Sequence, residues 1–197
     1  DAPWPIRKTG EHFIKLSGKV DQIEIGSVMW QLVVYNNKID EEVTKRLSQS
    51  IPTALNHILE DDSLVLPGGL QACLGNVVIS PSCCCGLEEW RQWFDLLGSG
   101  SVGPWLGHDP DPVVLRKNDV IQIWSDYPGN EGPAESAYCI ETTTVELRNA
   151  LAIAFTNMVD FVTLLPDWAE KLGYDSGQSI ADKFSETFDL SSELKSH

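Results

Sequence analysis

Chemistry in this sequence is concentrated in one run, Ser80-Pro81-Ser82-Cys83-Cys84-Cys85-Gly86-Leu87-Glu88. A thiolate is a nucleophile and a soft metal ligand. At a helix N-terminus it lies near N–H groups and a positive dipole end that favour its charged form. The apolar spacing after Gly86 predicts a helix over about 86–97, which would place Cys84 and Cys85 at that end. A catalytic thiol also needs a base. Of the four histidines, His12, His57, His108 and His197, only His108 stands in a loop suited to a site. Zinc is the other use of these thiols. Structural zinc sites favour Cys-x2-Cys because two intervening residues let both ligands face one ion. Three adjacent cysteines cannot all do so, and the candidate metal ligands are therefore Cys83 and Cys85 with His108, or with Cys73 in its place.

His108-Asp109-Pro110-Asp111 looks like a short ligand cluster in which Asp109 and Asp111 could bind a hard cation. The competing reading is turn chemistry, since Asp side chains satisfy local N–H groups beside proline. Trp93 falls off the stripe Leu87, Trp90, Phe94 and Leu97, and Trp105 lies in a Gly/Pro loop. Aromatics so placed can anchor a ligand or partner. The binding candidates are therefore Trp93, Trp105, His108, Asp109 and Asp111. Phosphate loops, dinucleotide fingerprints, His-Glu-x-x-His and Gly-x-Ser-x-Gly are all absent from the sequence.

The elements that must position these residues read as a mixed α+β fold. Phe13–Leu16, Val20–Ile25 and Val28–Tyr35 are β-branched and aromatic runs broken at Ser17-Gly18 and Gly26-Ser27, which predicts an antiparallel meander. Asp40 is an N-cap candidate for a helix over about 40–50, followed by a second helix from Pro52. Leu64–Leu66, Val77–Ile79, Val113–Leu115, Val120–Trp124 and Tyr138–Thr142 read as strands. Thr143-Thr144-Val145-Glu146 is a capping box opening the longest helix, with Leu147, Leu151, Ala154, Phe155, Met158, Val162 and Leu165 on its apolar face. The expected architecture is one α+β domain over 1–197, an antiparallel sheet with the long C-terminal helix packed on it. Residues 127–136 are expected to be a mobile surface loop and 174–197 a loosely attached tail. The loop 103–112 carries too many hydrophobes to float, and it is expected to fold back beside the cysteine turn.

Composition narrows the partners. The net charge of −15 disfavours nucleic acid and anionic membrane, which would both be repelled. Residues 131–197 hold twelve acids against four bases, whereas residues 1–39 hold four acids and five bases. No uninterrupted apolar run reaches the ~20 residues that span a bilayer. No signal-peptide pattern is present, and the start at Asp1 fits a trimmed chain, with a mature secreted form as the alternative. Five cysteines, three of them consecutive, do not resemble a secreted disulfide framework, so reduced cytoplasmic thiols are expected.

Leu66-Pro67-Gly68-Gly69-Leu70, Ser80–Trp90 and Trp105-Leu106-Gly107-His108-Asp109-Pro110 together resemble an uncharacterised family of bacterial cytoplasmic proteins. The resemblance covers about the middle third of the chain. It implies a bacterial origin and a cytoplasmic location, and it carries no activity over. Two functions compete on the residues. One is a non-enzymatic acidic binding protein, immunity-type or regulatory, that covers a basic protein partner and needs no cofactor. The other is a metal- or thiol-dependent enzyme built on the Cys83–Cys85 turn and His108, with zinc as its metal.

Overall fold

Asp21 starts the first helix. Its carboxylate accepts the backbone N–H groups of Ile23 and Glu24 at 2.9 and 2.7 Å, while the Glu24 carboxylate accepts the Asp21 N–H at 2.9 Å. This reciprocal capping box opens α1, Gln22–Asn36, which stands where the meander was expected. Two features override the β-branched composition. Buried apolar residues at Ile25, Met29, Leu32 and Val33 follow helical spacing. Gly26, read as a turn, sits within the helix, because a Cβ there would come within 2.4 Å of the Pro5 carbonyl oxygen. The glycine serves close approach, not chain reversal.

The computed structural model describes residues 2–8, 13–37, 41–129 and 132–191. Beyond α1 it contains α2 (Glu41–Leu47), α3 (Ile51–Glu60), β1 (Ala72–Leu74), β2 (Val77–Ile79), a 3₁₀ helix (Leu87–Leu97), β3 (Val113–Lys117), β4 (Val120–Trp124), β5 (Cys139–Thr143), α4 (Thr144–Val162), α5 (Leu165–Lys171) and α6 (Gly177–Thr187). The class is α+β. The cap expected at Asp40 lies outside the described residues, as do residues 130 and 131 of the expected 127–136 loop. Leu64–Leu66 is irregular chain, not a strand, although Leu64 and Leu66 are buried.

The described chain divides into two compact units, one of residues up to Leu66 together with those from Phe155, the other Pro67–Ala154. In the first, Trp4 packs edge-on against Trp30 and Trp168, with centroids 5.9 and 5.2 Å away, and its indole N–H donates to the Gly26 carbonyl at 2.8 Å. Phe161, Phe184 and Phe188 form a second aromatic run. Tyr174, Ile180, Ala181, Phe184, Phe188 and Leu190 are all buried, so the described part of the expected loose tail is anchored in the core of the first unit; residues 192–197 lie outside the described ones.

In the second unit, β3, β4 and β5 form an antiparallel sheet in that order, and β1 pairs with β2 as a separate hairpin. Val114, Ile121, Ile123 and Ile140 bury one sheet face against Trp93, Leu96 and Leu106, together with Leu147 and Leu151 from the opening turns of α4. The long helix thus packs on this sheet through its first turns, as expected. Thr143 caps it: the Thr143 hydroxyl accepts the Glu146 N–H at 3.2 Å, and the Glu146 carboxylate accepts the Thr143 N–H at 2.9 Å. Counted through α5, the segment Thr144–Lys171 is 28 residues long and carries an 18-residue window of mean hydropathy 1.3, of which 22% is buried. By length and composition it could cross a bilayer, a property missed by looking only for uninterrupted apolar runs. Met158, Phe161, Leu165, Trp168 and Ala169 in this segment are buried in the first unit.

Candidate metal centre

Two segments build the site, Ser82–Cys85 and Leu106–Pro110. The Ser82 N–H donates to the Leu106 carbonyl at 2.7 Å and the His108 N–H to the Cys83 carbonyl at 3.2 Å, a short antiparallel bridge between Cys83 and His108. The Ser82 hydroxyl adds a bond to the Pro110 carbonyl at 2.7 Å. Gly107 makes this approach possible. Its φ is +97°, and a Cβ on it would meet the Cys83 carbonyl oxygen at 2.5 Å. From the other side, the Gly68 N–H donates to the Cys85 carbonyl at 2.9 Å. The loop 103–112 therefore lies beside the cysteine turn, and the Pro67–Leu70 segment is pinned to the same turn.

The turn arranges the three thiols differently from the expectation. Cys84 has φ +72°, a left-handed conformation rare outside glycine. Successive side chains of extended backbone point to opposite faces. The left-handed residue breaks that alternation, and the Sγ atoms of Cys83 and Cys84 stand 3.1 Å apart, both exposed. The Cys83 and Cys84 sulfurs and a ring nitrogen of His108 lie within 4.8 Å of one another, the group of potential metal ligands that converges among the described residues. The set is thus Cys83, Cys84 and His108, not Cys83, Cys85 and His108. Cys85 is turned into the interior at 4% exposure. Cys73, the alternative ligand, is exposed on β1, with its sulfur against the Gln71 side chain.

The electrostatics also differ. The helix after the turn is capped by Gly86, so the exposed thiols precede its first turn by two residues or more and Cys85 is not the cap. Burial pushes the Cys85 thiol up to about 11, with Glu89 and Glu88 adding to the rise, the reverse of helix-end activation. The His108 Nδ1–H donates to the Asp109 carboxylate at 3.0 Å, and a further hydrogen bond ties the ring to Cys84. Those two bonds, Asp109 first, raise its pKa above 6.5. Asp109 therefore orients the imidazole, as carboxylates do for metal-ligating histidines.

The remaining candidates separate. Trp105 is 48% exposed, its ring centroid 6.2 Å from that of His108. Trp93 is 4% exposed in the core of the second unit and presents no surface for a partner. The Asp111 backbone is tied to the segment after β4, its N–H on the Asp126 carboxylate at 3.1 Å and its carbonyl accepting from the Tyr127 N–H at 2.7 Å. His57 contacts the Asn37 side chain in the first unit, while His12 and His197 lie outside the described residues. Sequence reasoning missed the cleft of about 480 Å³ bordered by Cys83 and Asp109 together with Ser80, Ser125, Asp126 and Tyr138. It is assembled from strand ends far apart in the chain, and no local spacing announces it.

Compared with models of protein families, with curated proteins and with solved structures, the chain matches none, so the reading of the site rests on its own geometry.

Proposed function

We propose that Cys83, Cys84 and His108 bind a thiophilic divalent ion, zinc above all, and that the protein's function depends on that ion. One observation carries the reading: three soft or borderline donors from segments 24 residues apart, His108 and Cys84, converge within 4.8 Å. Thiolate and imidazole donors suit zinc and disfavour magnesium or calcium, which take oxygen ligands. Tetrahedral zinc with bonds near 2.3 Å sets its sulfurs about 3.8 Å apart, so the 3.1 Å pair needs only a small side-chain rotation.

The number of ligands decides the class. Structural zinc sites are closed by four protein ligands, whereas catalytic ones keep three and leave a position for water or substrate. Here the three donors are exposed, and one of them, Cys83, lines the cleft together with Asp109, which fits the open type. In such a position zinc supplies Lewis acidity and an activated water. Asp109 holds His108 in place, and the hydroxyls and carboxylate of Ser80, Ser125 and Asp126 offer the cleft's ligand hydrogen-bonding groups. The alternative of an acidic protein covering a basic partner keeps its charge argument, but Trp93, one of its two aromatic anchors, is core.

Equilibrium dialysis of the reduced protein against zinc tests the proposal. The expected result is one tightly held ion per chain, weakened at least tenfold by Cys83→Ser, Cys84→Ser or His108→Ala and unchanged by Cys73→Ser. Equal zinc retention in all four variants, or none in the native chain, would contradict it.

A further inference from the structure

We infer that Cys83 and Cys84 are a reversible two-electron redox pair, placed to close into a disulfide between adjacent residues when a peroxide oxidises them. The inference goes beyond the metal site and does not require the metal to be bound. Adjacent cysteines in extended chain keep their sulfurs apart on opposite faces. The left-handed backbone of Cys84 cancels that separation and leaves 3.1 Å between the sulfurs, about 1 Å more than a covalent S–S bond. Both thiols are exposed to a small oxidant, whereas the third member of the run, Cys85, is buried. Access governs which cysteine a small oxidant reaches, so Cys85 does not compete.

The step balances. One thiol's sulfur attacks a peroxide oxygen, an S–O bond forms as the O–O bond breaks, and the departing hydroxide takes up the thiol proton as water. The second thiol's sulfur then displaces the hydroxyl of that sulfenic acid, forming the S–S bond and releasing a second water. Two thiols are oxidised by two electrons, and one hydrogen peroxide is reduced to two waters. The product is strained by its covalent geometry. Adjacent Cα atoms are fixed about 3.8 Å apart, below the 4.4–6.8 Å usual for disulfides. Strained, exposed disulfides are the readily reduced, regulatory kind. Oxidation would also consume two of the three metal donors, so the same event that closes the pair ejects the ion. Ejection of the ion rests on the metal proposal.

The test uses the full chain, reduced, desalted and free of metal, treated with one equivalent of hydrogen peroxide and then alkylated. The expected result is two fewer alkyl groups by intact mass, assigned to Cys83 and Cys84 by peptide mapping and restored by dithiothreitol. Cys83→Ser and Cys84→Gly should abolish the loss of the pair. Glycine suits the φ of +72° at position 84, so this variant keeps the fold where another residue strains it. Full alkylation after peroxide, or loss of two groups that persists in Cys84→Gly, would overturn the inference. Repeating the treatment on zinc-loaded protein, with released zinc as the readout, reports on the metal proposal separately. If no zinc binds, the alkylation result still stands by itself.

Discussion

Gly107 is the residue on which the candidate site turns. Its φ of +97° and its contact with the Cys83 carbonyl mean that any side chain both strains the backbone and forces the two segments apart. Backbone strain alone costs about 1–3 kcal/mol. Gly107→Ala should therefore lower the midpoint of urea unfolding and weaken zinc uptake together, while Gly129→Ala, whose Cβ would meet nothing within 4 Å, should leave zinc uptake intact. A Gly107→Ala protein with native zinc affinity would show that the bridge does not position the ligands. The sequence made this neighbourhood legible only in part. Hydrophobes in a Gly/Pro loop predicted its return to the cysteine turn and singled out His108. The choice of Cys84 over Cys85 depended on one left-handed residue, and a cysteine carries no local signal for that conformation.

At the scale of elements, the segment after the cysteines shows why the period matters. An α-helical reading put Trp90 and Phe94 on the core face and Trp93 off it. The segment is a 3₁₀ helix, in which residues three apart eclipse, and its buried positions are Leu87, Trp90, Trp93 and Leu96. Arg116 ties down its C-terminal end, donating to the Leu96 carbonyl at 3.0 Å and to the Gly98 carbonyl. Trp93→Ala should cost about 3–5 kcal/mol, as expected for a buried large aromatic, and the half-buried Phe94→Ala distinctly less. Chemical denaturation of the two variants measures the difference, and the reverse order would restore the α-helical face. The helix α1 was misread because Val28–Tyr35 is rich in β-formers; its signature was the Asp21/Glu24 capping box. The Thr143/Glu146 box was read correctly for the same physical reason. There the Thr143 backbone N–H, then the Thr143 and Thr142 hydroxyls, hold the Glu146 carboxyl below its usual 4.5. A carboxyl depressed by folding adds stability above its unfolded pKa and loses it as pH falls through the lower folded value. Glu146→Gln should therefore lower Tm slightly at pH 7, with the gap to the native protein narrowing as pH falls toward 3. A constant gap between the two across that range would mean that the carboxylate charge plays no part in the cap.

For the molecule as a whole, the α+β class was readable from alternating blocks of strand-like and helical spacing, and β2 to β5 stand close to where those runs lie. The division into two units was not readable. It follows from long-range pairing of the N-terminal helices with α5 and α6, which leaves the central sheets to form their own core. The charge of −15 disfavours nucleic acid as a partner on electrostatic grounds but says little about chemistry, since solvated acids are common. What distinguishes this chain is the Cys83–Cys84–His108 group in the second unit. X-ray absorption at the zinc edge of the loaded, reduced protein examines that group directly. The expected result is two sulfur neighbours near 2.3 Å and nitrogen or oxygen neighbours near 2.0–2.1 Å, with one sulfur lost in Cys84→Gly. A shell of oxygen and nitrogen alone, or two sulfurs that survive removal of Cys84, would contradict it.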